Sequence, residues 1–215
     1  RDATMTIVQI QPRLQPNRVS AFWSAGFRPF FLGAIACSLT TMFVWMGLFL
    51  SWWTPGIEMF APMQWHAHEM VYGYCSAVIA GFLLTAVPNW TGASPVEGRS
   101  LKTISGLWFG ARLCFLLGGN IFVIAALLDL LFLISLIAVT VRPIVRARQW
   151  KQIGIVSKLV LLLLGNCAFY FGALENLPVL VSQSIYAGLY LVVGLILTIA
   201  GRVFPAFIQN MVPVD

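Results

Sequence analysis

Six hydrophobic runs occupy most of this 215-residue chain, and each is close to the length that crosses a lipid bilayer. A hydrocarbon core of about 30 Å needs roughly 20 apolar residues in a helix. The runs span residues 30–50, 68–87, 104–118, 121–141, 153–174 and 181–201. They are too long and too uniformly apolar for the alternating strands of a β-barrel. Only 9% of the residues are charged, against about 25% in soluble proteins. The sequence therefore predicts an all-α integral membrane bundle of six transmembrane helices.

Basic residues mark one side of this predicted bundle. Lys and Arg near helix ends favour the cytoplasm, and here they lie in the amino-terminal arm, in the 88–103 and 142–152 connections and at Arg202. The connections on the other side contain none. We therefore expect both termini in the cytoplasm, with residues 1–26 as an interfacial arm, 27–202 as the six-helix domain and 203–215 as a tail. The net charge of +6 predicts contact with anionic lipid heads and gives no support to nucleic-acid binding.

Both histidines of the chain lie at the start of the second run, in the sequence WHAHEM at residues 65–70. Imidazoles and carboxylates are costly near lipid, so this group is predicted to be functional. His66, His68, Glu69 and Met70 offer ligands that suit haem iron, copper or zinc. Residues i and i+2 of a helix point about 200° apart, so both rings reach one ion only if residues 65–67 are extended. Otherwise the two rings serve different centres, or only one is a ligand.

Two further features lie within the predicted spans. Gly73, Ala77 and Gly81 form a stripe of small residues at helical spacing, which favours close approach of another helix or, alternatively, of a flat ring such as a haem. Arg112 and Asp129 lie in runs joined by the sequence GGN at residues 118–120, which predicts a tight hairpin. We expect them to form a buried ion pair near the middle of the membrane. In the alternative, Arg112 holds a haem propionate or another anion, and Asp129 relays protons.

Four segments resemble the NnrS family: GFRPFF at residues 26–31, WHAHEM at 65–70, GFLLTAVPNWTG at 81–92 and GRVFP at 201–205. This family consists of bacterial inner-membrane proteins linked to nitric oxide and denitrification, and described as binding haem and copper. The resemblance implies haem, with copper as a second metal, and a multi-pass location in a bacterial inner membrane. Because the sequence contains no covalent haem attachment motif, we expect the haem to be non-covalent. The candidate residues that it implies are His66, His68 and Glu69 as ligands, with Arg28, Arg112 and Arg202 as partners of propionates or other anions.

The resemblance runs from about residue 26 to the end of the chain and corresponds to the amino-terminal half of longer family members. We therefore expect a homodimer or a larger membrane complex, in which a second chain supplies the remaining ligands. The leading hypothesis is a haem- and copper-binding protein that meets nitric oxide in the nitric oxide response or in denitrification.

Two other functions fit the same features. A half-bundle transporter would line its path with Glu69, Arg112 and Asp129 after dimerisation, but no Gly- or Pro-broken helix and no internal repeat are apparent. A non-catalytic subunit that docks into a larger membrane complex would explain the half length. That hypothesis leaves His66, His68 and Glu69 without a purpose.

Overall fold

The computed structural model describes residues 20–52 and 61–211, except the side chains of residues 202, 203 and 205–211. Long helices dominate this part of the chain, and it contains no β-strand. They are α1 Phe27–Phe49, α2 Pro62–Thr91, α3 Gly98–Leu117, α4 Phe122–Arg146, α5 Ile153–Leu174 and α6 Pro178–Met211. The predicted all-α fold is confirmed, and each predicted run coincides with one of these helices.

Five of these helices, α1, α2, α4, α5 and α6, are long and apolar enough to cross a membrane. The first half of α3 is more polar, because it carries Arg99, Lys102 and several hydroxyl residues. This helix still has 20 residues, which at 1.5 Å per residue gives a length of about 30 Å. The chain is therefore a multi-pass membrane protein, whereas its orientation in the membrane stays a prediction.

Short connections make consecutive helices antiparallel, as the turn between α3 and α4 illustrates. Gly118 and Gly119 have φ angles of 61° and 59°. These values lie in the left-handed region, where residues other than glycine are strained. A single 3₁₀ turn, Gly119–Ile121, then leads into α4. The tight hairpin predicted from the GGN sequence is confirmed. We call the end of the bundle where α1, α3 and α5 finish the His66 end, since α2 begins there.

Helix α2 is the central helix of the bundle. In its most apolar stretch of 18 residues, 61% of the residues are buried. The corresponding share in the other four candidate spans is 22% to 39%. It packs against α1, α4 and α6, and it also contacts α3. The outward faces of α1 and α6 expose large apolar side chains such as Leu39 and Leu197, which suits contact with lipid. Polar residues in the buried part of α2, such as His68 and Glu69, are therefore enclosed by protein and not by lipid.

The stripe of small residues on α2 serves helix packing. A Cβ atom at Gly81 would lie 2.7 Å from the Phe31 ring of α1, and one at Gly73 would lie 2.6 Å from Nη1 of Arg112 on α3. The Trp108 indole also donates to the Gly73 carbonyl oxygen, at 3.0 Å. The favoured interpretation of this stripe is confirmed, because neighbouring helices already fill the space that a flat ring would need.

One local irregularity of α2 is absent from the sequence prediction. Residues Glu69–Cys75 form a π-helix between two α-helical segments, Pro62–His68 and Ser76–Thr91. A π-helix has i→i+5 hydrogen bonds, and such segments occur frequently at functional sites. It turns Glu69 and Gly73 towards the interior, directly beside the polar residues of the other helices.

Candidate functional site

Six polar side chains from four helices meet inside the bundle, and we call them the buried polar cluster. They are His68 and Glu69 on α2, Arg112 on α3, Asp129 on α4, and Asn166 and Tyr170 on α5. The exposed fraction of each lies between 0% and 7%. Polar groups removed from water are stable only when they satisfy one another, so the cluster requires all four helices in register.

Arg112 is the electrostatic centre of this cluster. Its Nη1 donates to Oε1 of Glu69 at 2.5 Å, and its Nη2 pairs with Oδ1 of Asp129. The ion pair predicted between Arg112 and Asp129 is therefore present, and Glu69 joins it as a second carboxylate. Glu69 takes this place because the π-helix presents it to α3 across the bare backbone of Gly73.

The His68 imidazole connects the two carboxylates. Asn166 donates from Nδ2 to Oδ2 of Asp129 at 2.9 Å, so its Oδ1 is the atom 3.0 Å from Nε2 of His68 and accepts a hydrogen bond from it. On the other side, Nδ1 of His68 lies 3.4 Å from Oε1 of Glu69. Tyr170 donates to Asp129 at 2.9 Å. Asn166 of α5 thus joins His68 of α2 to Asp129 of α4.

Aromatic side chains enclose the His68 ring. Its centroid lies 4.1 Å from that of Phe169, 4.5 Å from Phe115 and 5.1 Å from Tyr72. The residue is completely buried. These rings come from α5, α3 and α2 itself. Phe169 and Phe115 belong to the apolar core at the His66 end of the bundle, whereas Tyr72 belongs to the larger core cluster.

The two histidines face different helices. Pro62–His68 is α-helical, and its first turn is fixed by Pro62 and by the Gln64 side chain, which accepts from the Ala61 backbone N–H at 3.0 Å. The alternative with residues 65–67 extended is therefore wrong. His66 stacks on Trp45 of α1, with 5.1 Å between ring centroids, while His68 contacts α5. The two imidazoles do not converge on one ion.

His66 is the more available of the two imidazoles. Its side chain is only half-buried, yet its Nδ1 is buried and has no hydrogen-bond partner within residues 20–52 and 61–211. Met70 follows four residues later and is also half-buried. Met70 is the second residue of the π-helix, so this part of α2 offers an imidazole and a thioether within one helical turn of each other.

Comparison with known proteins identifies the family. A family model described as NnrS protein matches residues 21–215, which is most of the chain. The chain belongs to the NnrS family. This confirms the resemblance seen in its four sequence segments, and it links the protein to the nitric oxide response. No curated protein and no solved structure shows a significant match to the chain.

The haem that the NnrS resemblance implies does not fit at His68. An axial ligand needs a ring nitrogen that faces open space. Nε2 of His68 is engaged by Asn166, Nδ1 faces Glu69, and stacked aromatic rings cover the imidazole. A porphyrin there would have to separate α3 from α5. His68 and Glu69 therefore serve the buried polar cluster, and neither is placed to bind a haem.

His66 does fit the role of a single imidazole ligand. Its ring is half-buried, so part of it is open to a ligand, and the ring is held in place by stacking on Trp45. Imidazole suits iron and copper, and a thioether such as that of Met70 suits copper in its reduced state. A complete metal centre at His66 needs ligands beyond these two residues.

The three arginines predicted as anion partners lie apart. Arg112 is already paired with two carboxylates. Arg28 donates to the Ala21 carbonyl oxygen and, at 3.1 Å, to Oγ of Ser24, near the start of α1. It is 17 residues before Trp45, a separation of about 26 Å along a helix, so it does not reach a group bound at His66. Arg202 lies on α6, and its side chain falls outside the described part of the chain.

The buried polar cluster lies closer to the His66 end than the sequence indicated. Asp129 is seven residues from the start of α4 and Arg112 is five residues from the end of α3, or about 10 Å and 8 Å along their helices. Helix α4 extends to Arg146, beyond the predicted end at residue 141, and its centre shifts accordingly. The cluster therefore lies nearer to the His66 end of the bundle than to the opposite end.

Two tyrosines of the site were not identified from the sequence. Tyr170 donates to Asp129, and Tyr72 donates to the Ser184 carbonyl oxygen of α6 at 2.6 Å. Each follows a polar residue of the cluster by four positions, Tyr170 after Asn166 and Tyr72 after His68. That spacing on an apolar helix was the signal available, because it places two polar groups on one buried face.

Proposed function

We propose that this chain acts in the nitric oxide response of a bacterial inner membrane, and in denitrification where that pathway is present, through a non-covalent haem held at His66. The observation that carries the proposal is the half-buried ring of His66, which is partly open to a ligand, whereas the ring of His68 is completely buried. Family membership supplies the link to nitric oxide. Haem iron, when bound, supplies a centre that binds nitric oxide.

The protein's own contribution is to fix the orientation of the His66 ring. Trp45 stacks on one of its faces, and the helical turn that carries it is anchored at its far end by His68 and Glu69. Those two residues are tied to α3, α4 and α5 through the buried polar cluster. The cluster is therefore a positioning element: by fixing the end of this turn to three other helices, it restricts the movement of the His66 side chain.

Copper is the second metal of this proposal, and Met70 is the residue of the chain that supports it. An imidazole and a thioether within one helical turn of each other provide two ligands of the type that reduced copper prefers. Either metal requires a further ligand, which we assign to a second copy of the chain or to a partner subunit in a larger membrane complex.

The experiment is haem reconstitution of the detergent-purified chain, followed by optical spectra before and after dithionite and by copper analysis. We expect a Soret band in the wild-type protein that is lost in His66→Ala and that shifts when nitric oxide is added. The matched variant is His68→Ala, which should retain the Soret band at 4 °C while lowering the unfolding temperature.

A Soret band of equal intensity in wild type and His66→Ala would overturn the assignment of the ligand. Loss of the band in His68→Ala protein that remains folded by circular dichroism would move the site into the buried polar cluster. If His66→Ala retains copper and Met70→Leu loses it, haem and copper bind through different residues.

A further inference from the structure

A lateral cleft opens between α1 and α3, and it does not include either histidine. Its volume is ≈ 230 Å³, and Glu69 and Arg112 lie at its floor. Its walls include Gly33 and Ala36 of α1, Trp65 of α2, and Trp108 and Phe109 of α3. Ala36, Phe109 and the neighbouring Leu113 are exposed at its rim. Since these residues belong to the lipid-facing surface, the cleft opens sideways into the bilayer.

Two buried donors in the lining lack acceptors. Trp65 is 1% exposed and Arg112 is 7% exposed. Neither Nε1 of Trp65 nor Nε of Arg112 has a hydrogen-bond partner among the residues that the structure describes. A buried unsatisfied donor costs about 1–3 kcal/mol. The indole of Trp108, which also lines the cleft, does have an acceptor: it donates to the Gly73 carbonyl oxygen at 3.0 Å.

The charges around the cleft select a neutral ligand. Arg112 is shared by Glu69 and Asp129, so an anionic head group would be placed beside two carboxylates. A carbonyl oxygen accepts hydrogen bonds without adding charge. The aromatic side chains of Trp65, Trp108 and Phe109, together with the small residues of α1, suit a planar ring.

We propose that the cleft binds a neutral, lipid-soluble ring that bears carbonyl groups, the chemistry of an isoprenoid quinone head group. A ring carbonyl accepts from Nε1 of Trp65 or Nε of Arg112, and the apolar tail leaves between α1 and α3 into the lipid. This binding site lies beyond the haem proposal and does not depend on it, because His66 is not part of the lining.

The test is equilibrium binding of decylubiquinone to the detergent-purified chain. We expect saturable binding by the wild-type protein. Ala36→Phe fills the mouth of the cleft and should weaken binding by more than tenfold, whereas Leu39→Phe, on the exposed face of the same helix outside the cleft, should leave it unchanged. Trp65→Phe removes one donor and should weaken binding by about fivefold to tenfold.

Three results would overturn this proposal. They are the absence of saturable binding to folded wild-type protein, equal affinity in Ala36→Phe and Leu39→Phe, and full displacement of decylubiquinone by equimolar methyl palmitate. The last would identify an acyl ester as the preferred source of the carbonyl. His66→Ala should bind decylubiquinone as the wild type does, so failure of the haem proposal and failure of this one are distinguishable.

Discussion

Arg112→Met removes the guanidinium from the buried polar cluster while keeping a side chain of similar length. Glu69 and Asp129, which are 2% and 0% exposed, then remain buried without their common cation. Removing one partner of a buried ion pair typically costs about 3–5 kcal/mol. Because two carboxylates lose the same partner here, we expect a loss at the upper end of that range, about 5 kcal/mol. This is a large share of a stability of about 5–15 kcal/mol.

The measurement is thermal unfolding of the purified protein in detergent, followed by tryptophan fluorescence. We expect the midpoint of Arg112→Met to fall by on the order of 10 °C. The matched control is Arg99→Met, which removes an exposed arginine from the start of the same helix. That variant should remain within about 0.5 kcal/mol of the wild type.

A compensated variant separates electrostatics from packing. Glu69→Gln and Asp129→Asn, added to Arg112→Met, leave a neutral cluster of nearly unchanged volume. Replacement of a whole buried ion pair by neutral groups is often tolerated, so this triple variant should recover most of the lost stability. The reasoning is refuted if the triple variant unfolds at the same temperature as Arg112→Met, or if Arg112→Met matches Arg99→Met.

Two further predictions concern packing and topology. Gly188→Ala should cost about 1–3 kcal/mol, because its Cβ would lie 2.6 Å from the Tyr72 hydroxyl; Gly106→Ala, which has no atom within 4 Å of its Cβ, should be neutral or stabilising in the same thermal unfolding assay. For topology, a membrane-impermeant maleimide added to intact cells should label Asn176→Cys and not Ser100→Cys. The reverse labelling would contradict the cytoplasmic placement of the basic connections.

The number and order of the helices were predictable because hydrophobic length is a local property of the sequence. Helix ends were less predictable. Helix α4 continues to Arg146 and α6 to Met211, beyond the predicted 141 and 201. The length of an apolar run reflects the thickness of the hydrocarbon core. A helix, in contrast, continues for as long as its backbone hydrogen bonds continue, which can be well beyond that core. Residues 203–211 of the predicted tail therefore continue α6, and the predicted arm before residue 20 lies outside the described residues.

Part of the site was predictable for a similar reason. Counting residues along the two helices of a tight hairpin places Arg112 and Asp129 at matching depths, and their predicted pairing is observed, although the pair lies nearer to the His66 end than predicted. The contact between His68 and Asn166 joins residues 98 positions apart, and no local pattern encodes it. The π-helix at Glu69–Cys75 was also missed, because hydropathy and residue spacing do not distinguish it from a regular α-helix.

Neighbouring residues of the sequence WHAHEM have different roles because they contact different helices. A buried ion pair is weak evidence of a contribution to stability, because well-packed apolar groups often serve equally well. Its specific effect here is geometric. Glu69, held by Arg112, keeps the π-helix facing α3, and the adjacent turn then points Trp65 into the lateral cleft and His66 towards α1. We therefore expect loss of the Glu69–Arg112 pair to disturb ligand binding at both places, whereas His68→Ala, which leaves that pair in place, should retain both ligands.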